Sequence, residues 1–385
     1  MERERDASGG GVKSHSNSGR AFGVYVHVPF CRSRCDYCAF ATYTDRDHLM
    51  ARYVDACKLE IRRALLDGQM ERASSVFFGG GTPSRLPAEQ LVEILGEIPR
   101  HADAEVTVEC NPEDVNLRRL EIYRTAGVNR ISLGVQSTMH HVLRSLGRNH
   151  RPGDVDRAVG AATEAGFTTF NCDLIFGSVG ESDKDWIRSL RDLLELSVAP
   201  PHLSAYALTV EPGTPLAGDP RRHPDDDVQA RRYELADRVL TDAGYGWEEV
   251  SNWSLPGHGC RHNQLYWQQG DYRGIGSAAH SHEQGTRWWN IRNPDRYVRA
   301  VERGSSTVAG QEVLSPAQRE FERLALSLRT PTGVPAGSLP DLPELAPLVS
   351  RTGGRAVLTV RGRLLANAVT RHLRVEVGAA GSLRE

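Results

Sequence analysis

The segment VPFCRSRCDYCAF, residues 28 to 40, sets Cys31, Cys35 and Cys38 at CxxxCxxC spacing and supplies no fourth cysteine. Thiolates crowded in this way bind metal, either as zinc or as an iron–sulfur cluster. A structural zinc site closes with a fourth cysteine or histidine, which the loop itself lacks, although His27 or a remote residue could serve. A four-iron, four-sulfur cube held by three cysteines instead leaves one iron open to a small molecule. Further residues suited to binding fall at the ends of apolar, β-rich runs. SSVFFGG (74 to 80) leads into GGGTPS (79 to 84), where Gly80 and Gly81 permit close backbone approach and Thr82 can donate a hydrogen bond. Later runs bring Glu109, Gln136, Asp173 and Ala207 to the corresponding ends. Taken singly, the glycines can be only a turn and each acid only an arginine's partner. Together with the cysteine loop they predict one rim of binding residues.

The elements that must carry this rim follow a steady rhythm. Runs at 21–30, 74–80, 104–110, 129–136, 167–177 and 202–210 read as strands. Between them lie amphipathic helical patterns. PAEQLVEILGEI (87 to 98) puts Leu91, Ile94, Leu95 and Ile98 on one face, with Pro87 as its first helical residue. Segments 183–196 and 228–244 behave alike. Six strand–helix units predict an α/β fold, a parallel sheet curling into a partial (β/α)6 TIM-like barrel, whose binding residues gather where the strands end. Near residue 305 the rhythm breaks. Ser315, Pro316 and Gln318 open a capped helix over 314–329, a proline-rich connection follows, and a strand-turn-helix pattern covers 356–373. The predicted domains are a polar tail at 1–20, the core at 21–304, and a small α+β, winged-helix-like unit at 305–385.

Composition narrows the function classes. Lysine plus arginine total 47 against 49 acids, without the basic excess of a dedicated nucleic-acid binder. The glycine- and serine-rich start has no apolar core for a signal peptide, and no stretch approaches the roughly eighteen apolar residues of a membrane span. A soluble, cytoplasmic protein is expected. Cys57, Cys110, Cys172 and Cys260 are scattered and read as small buried residues.

The CxxxCxxC loop after the first strand resembles that of the radical S-adenosylmethionine superfamily. There the amino acid end of the cofactor chelates the open iron, an electron from the cluster breaks the sulfonium bond, and the adenosyl radical abstracts hydrogen. YVHVPFCRSRCDYCAF, FFGGGTPS, VECNPED, ISLGVQS, LGRNHRP, NCDLIFG and HLSAYALTVEPGTPL extend the likeness to the oxygen-independent coproporphyrinogen III oxidase/dehydrogenase family over residues 22–375. The resemblance implies S-adenosylmethionine contacts from Tyr25, Gly80 and Glu109, with Tyr37, Gly81, Thr82, Gln136, Arg148, Asp173 and Ala207 about a second cofactor position.

Two departures select a branch. Phe40 stands where the true dehydrogenases carry another cysteine, and the N-terminal region is short. CRHNQLYW (260 to 267) holds the HNxxYW motif of the haem chaperone branch, followed by GDYRGIGSAAHS. That branch implies haem as cargo, with His262, Asn263, Tyr266 and Trp267 about it. His262 could ligate iron through a neutral imidazole while the aromatics line a face of the macrocycle, or it could cap a turn while they pack a core. His258, Cys260 and His280 are the alternative ligands. The implied partners are haem-accepting respiratory proteins, an electron donor, a second copy of the chain and the membrane surface. Porphyrinogen dehydrogenation is the rival activity. GSVGES (177 to 182) replaces the family's glycine-leucine-proline turn, which leaves the shape of that loop open.

Overall fold

The computed structural model describes residues 21–375; the predicted tail at 1–20 lies outside them. Six strands form the predicted parallel series: β1 (Phe22–Val28), β2 (Ala73–Gly80), β3 (Arg100–Cys110), β4 (Arg130–Gln136), β5 (Phe170–Phe176) and β6 (His202–Ala207). Their apolar residues are buried on both faces, which explains why they read as near-continuous hydrophobic runs rather than alternating ones. Single breaks in those runs mark positions that face a cavity: Tyr25 in β1, Gly134 in β4 and Asp173 in β5.

The sheet is wider than the six predicted strands. β7 (Gly246–Glu249) and β8 (Asn252–Ser254) extend it antiparallel beyond β6. On the other side β9 (Asp271–Ile275) lies parallel to β1, and β10 (His280–Glu283), β11 (Thr286–Asn290) and β12 (Val308–Val313) continue as an antiparallel meander. The order is β12-β11-β10-β9-β1-β2-β3-β4-β5-β6-β8-β7, so the sheet stays open and the barrel is partial.

Helices cover one face of the series. Leu91, Ile94, Leu95 and Ile98 are buried as their spacing predicts, each side chain contributing about 1.5–3 kcal/mol. Pro87 differs from expectation: with φ −50° and ψ 138° it is the N-cap, and helix Ala88–Glu97 begins one residue later. Helix Asp183–Leu194 starts at a capping box of Ser182 and Asp185.

The strand at Val308–Val313 still belongs to the large sheet, so the chain leaves that sheet nine residues beyond the expected boundary at 304. Helix Pro316–Leu328 follows, opened by the predicted Ser315–Gln318 capping box. It packs with a three-stranded sheet, Val334–Pro335, Val349–Thr352 and Arg355–Leu358, around a small core of its own. Ionic contacts tie this unit to the large one: Arg363 meets Asp237 at 2.7 Å, and Arg329 meets Glu249 at 2.9 Å.

Candidate functional site

The three cysteines emerge from the end of β1 on a loop that is fastened along its length. The Cys31 N–H donates to the Tyr43 carbonyl (3.1 Å), the Asp36 N–H to the Leu146 carbonyl (3.2 Å), and the Asp36 carboxylate accepts from Arg222 (2.7 Å). All three thiols are free and line one cavity of about 460 Å³. Among the described residues no three His, Cys, Asp or Glu side chains converge closely enough to hold a single metal ion. A thiol-only donor set beside an open cavity suits an iron–sulfur cube with one iron left for a small molecule. Burial pushes the Cys31 thiol up to about 11, against a 3.4 Å hydrogen bond with the Thr82 hydroxyl. Arg148 donates to Cys35 Sγ (3.5 Å), the Asn111 side chain (2.9 Å) and the Gly134 carbonyl (2.7 Å). Its charge therefore sits where thiolate charge would develop.

The opposite wall is built from strand ends. A Cβ on Gly80, whose φ is +111°, would fall 2.4 Å from the His27 ring. One on Gly81 would fall 2.8 Å from the Val28 carbonyl oxygen. Only glycine lets this strand end run against β1, where the Gly81 and Thr82 N–H groups donate to the Val28 and Phe30 carbonyls. Glu109 accepts from the Gly80 N–H at 3.2 Å. Burial, then the charge of Asp173, push its carboxyl up to about 8. Asp173 accepts from Ser132 (2.9 Å) and Asn171 (2.8 Å), yet burial still raises it. Gln136 closes β4 in a left-handed conformation (φ 63°), and its buried Oε1 has no partner. Two acids and an orphaned amide oxygen fit a cationic ligand that also brings hydrogen-bond donors, as S-adenosylmethionine does.

Tyr37, Gly80, Gly81, Thr82, Glu109, Gln136, Arg148, Asp173 and Ala207 all line this cavity. Tyr25 does not: its hydroxyl meets His27 Nδ1 at 3.2 Å, and its ring lines a second cavity of about 730 Å³. Asn111, which the sequence reading passed over, joins the first cavity from the residue after β3.

The second cavity lies between the β9–β11 edge of the sheet, the residues after Cys38 and helix Pro316–Leu328. Ala39 and Phe40 line both cavities and so form a shared wall. Of the HNQLYW residues only Tyr266 reaches the second cavity. His262 is fully buried with both ring nitrogens engaged, Nδ1 with the Ser75 hydroxyl (2.9 Å) and Nε2 with the Tyr266 hydroxyl (2.8 Å). Its pKa is pushed down to about 3 by burial. The structure places it in the core, against Phe77, with no nitrogen left over for iron. Asn263 and Trp267 line neither cavity, and Trp267 lies under the Arg329 guanidinium. Of the alternatives, His258 bonds the Thr169 hydroxyl (3.0 Å), and Cys260 is buried against Glu105 (3.5 Å). His280 alone of these lines the second cavity, stacked on Trp289.

The chain matches the Radical SAM superfamily over residues 25–193. It is 44% identical over 382 residues to the heme chaperone HemW of Mycobacterium tuberculosis, covering 92% of this chain and 95% of that protein. The heme chaperone HemW of Escherichia coli is 40% identical over 262 residues, covering 67% and 69%. The fold is similar to that of E. coli coproporphyrinogen III oxidase (HemN), a radical SAM enzyme, with a TM-score of 0.79 over 91% of this chain and 89% of that one at 24% identity. With identity of this level sustained across nearly the whole of both chains, the protein belongs to the HemW haem chaperone family within the radical SAM superfamily.

Proposed function

We propose that this protein binds haem, holds a four-iron, four-sulfur cluster on Cys31, Cys35 and Cys38 with S-adenosylmethionine at the open iron, and delivers the haem to membrane haemoproteins such as respiratory enzymes. The observation that carries this reading is the pair of adjoining cavities, one walled by thiols and buried acids, the other aromatic, sharing Ala39 and Phe40. The names of the HemW relatives support haem as the cargo. When bound, the cluster supplies an electron and a chelation point for the cofactor's amino acid end. The chain's own part is to fasten the cysteine loop, present the Gly80–Thr82 edge and set Glu109 and Asp173 against positive charge. A homodimer, an electron donor, peripheral membrane contact and a cytoplasmic site of action belong to the same proposal; among the described residues no helix is long and apolar enough to cross a membrane.

The test is an anaerobic haem titration of the cluster-reconstituted protein, followed by absorbance. Saturation at about one haem per chain is expected of a cavity of this size. Absence of saturable binding overturns the chaperone reading.

A second expectation concerns Glu109. Its raised pKa means that in the ligand-free protein the carboxyl keeps its proton up to about pH 8. The sulfonium and ammonium of S-adenosylmethionine favour the carboxylate, so binding expels the proton, and affinity rises with pH until that value and then levels. Calorimetry in buffers of different ionisation heat is expected to show proton release near neutrality, which Glu109→Gln abolishes together with the slope. A pH-independent affinity in the unsubstituted protein removes Glu109 from the site.

A further inference from the structure

Haem asks three things of a protein: room for a flat macrocycle, a side-chain donor for iron such as a neutral imidazole nitrogen, and a counter-charge for its carboxylates. The second cavity meets the first with about 730 Å³ lined by Tyr266, Tyr272, Phe40 and Leu326. This is within the roughly 300–1,000 Å³ range of cofactor sites. Several histidines approach it, and their hydrogen bonds separate them. His262 and His27 have both ring nitrogens engaged, His27 with the Tyr25 hydroxyl and the Ala41 carbonyl.

His282 differs. It is only 4% exposed and lines the cavity from β10. Its Nδ1 donates to the Gly270 carbonyl at 2.9 Å, with the Asp271 carboxylate 3.7 Å away, while its buried Nε2 has no partner. A backbone acceptor on Nδ1 fixes the tautomer whose lone pair is on Nε2, which is how metal-binding histidines are held. A buried nitrogen without a partner costs stability in the empty protein, and a metal bond would remove that cost. His280, two residues earlier, lines the same cavity because strand side chains alternate with period two. Arg292 also lines it; its hydrogen bond goes to the Ala39 carbonyl (3.3 Å), and it forms no carboxylate pair among the described residues. Arg287, by contrast, already bridges Glu312 and Glu322.

We infer that haem seats in this second cavity with His282 Nε2 as its axial ligand and Arg292 facing a propionate. The inference rests on the haem-binding reading above and gives it a place. The HNQLYW segment then contributes through Tyr266, whose hydroxyl His262 holds from behind and whose ring stands edge-on to Tyr272, 4.6 Å between centroids. His262 is thus a positioning residue.

The test compares ferric haem titrations of the reconstituted full chain with those of His282→Ala, His282→Asn, His262→Ala and His280→Ala. Asparagine can still donate to the Gly270 carbonyl, so His282→Asn removes the ligand nitrogen while keeping the fold's hydrogen bond. Both His282 variants are expected to lose affinity by about tenfold or more and to shift the Soret band, with free imidazole restoring the band in His282→Ala. His262→Ala is expected to retain a histidine-ligated spectrum with weaker binding. Unchanged spectra and affinity in both His282 variants overturn the assignment. Loss of the ligand band in His262→Ala or His280→Ala alone overturns it in favour of that residue. A parent protein that binds no haem fails the chaperone reading itself.

Discussion

Cys38→Ala is expected to fall from about four iron atoms per chain to almost none after anaerobic reconstitution, with the loss of the cluster's visible absorbance. The three cysteines are the loop thiols on the wall of the first cavity; Cys110 also reaches that wall, buried at the end of β3, while Cys57, Cys172 and Cys260 are buried elsewhere in the fold. With one of the three removed, the loop has no other thiol to take its place, and Cys110 is held within the strand end rather than on the loop. The substitution is expected to spare the fold, because the loop's anchors are backbone groups and Asp36 rather than Cys38 itself, and Cys38 is half-buried at a surface loop. Cys260→Ala is the matched control and should retain its iron. Full iron content in Cys38→Ala would remove the cluster from this loop and with it the reading of the first cavity.

The second large effect lies in the turn after β5. Glu181 and Arg232 form an ion pair at 2.8 Å whose side chains are 0% and 5% exposed. The carboxylate also accepts from the Gly177 N–H (2.8 Å), the guanidinium also donates to the Glu181 carbonyl and to Asp183, and the Arg232 carbonyl accepts from the Trp186 indole (2.9 Å). Arg232→Ala strands the acid in a site that already pushes its pKa up to about 7 through burial. A loss of about 3–5 kcal/mol is expected in chemical denaturation. The sign with pH follows. The stranded acid has a folded pKa above its unfolded one, so the penalty belongs to the charged form. It grows as pH rises above the ordinary carboxylate value and fades as pH falls below it. Glu181→Gln in the Arg232→Met background is expected to recover most of the loss, since no buried charge remains. Equal stability of Arg232→Ala and the parent would show that the turn does not depend on the pair.

This turn also shows what the sequence could disclose. GSVGES was visible as a departure from the family pattern, but the acid that organises it meets a partner 51 positions away, and no local spacing records that. The six parallel strands were legible because burial on both faces makes them long apolar runs. The edge strands were not. β11 and β12, TRWWN and VAGQEV, are short and largely polar or exposed, so only their neighbours make them strands. The cysteine loop and the Gly80–Gly81 edge were legible since each rests on a requirement of residue type that no substitute meets. His262 drew attention through its motif, yet its surroundings close both nitrogens. His282 drew none: what marks it is a bond to the Gly270 carbonyl and a cavity assembled from segments far apart in the chain. The only local trace was the alternation of His280 and His282 in HSHE.

The wall made by Ala39 and Phe40 belongs to the cysteine loop and to the aromatic cavity alike, and Arg292 grips it from the cavity side through the Ala39 carbonyl. If the proposed cluster and haem each press on this partition, any free energy they exchange through it is equal in both directions by thermodynamic reciprocity. Whatever factor the intact cluster adds to the affinity for haem, bound haem must add to the affinity for the cluster. On that proposal, loss of the cluster to oxygen would weaken haem binding through the shared wall by the same factor.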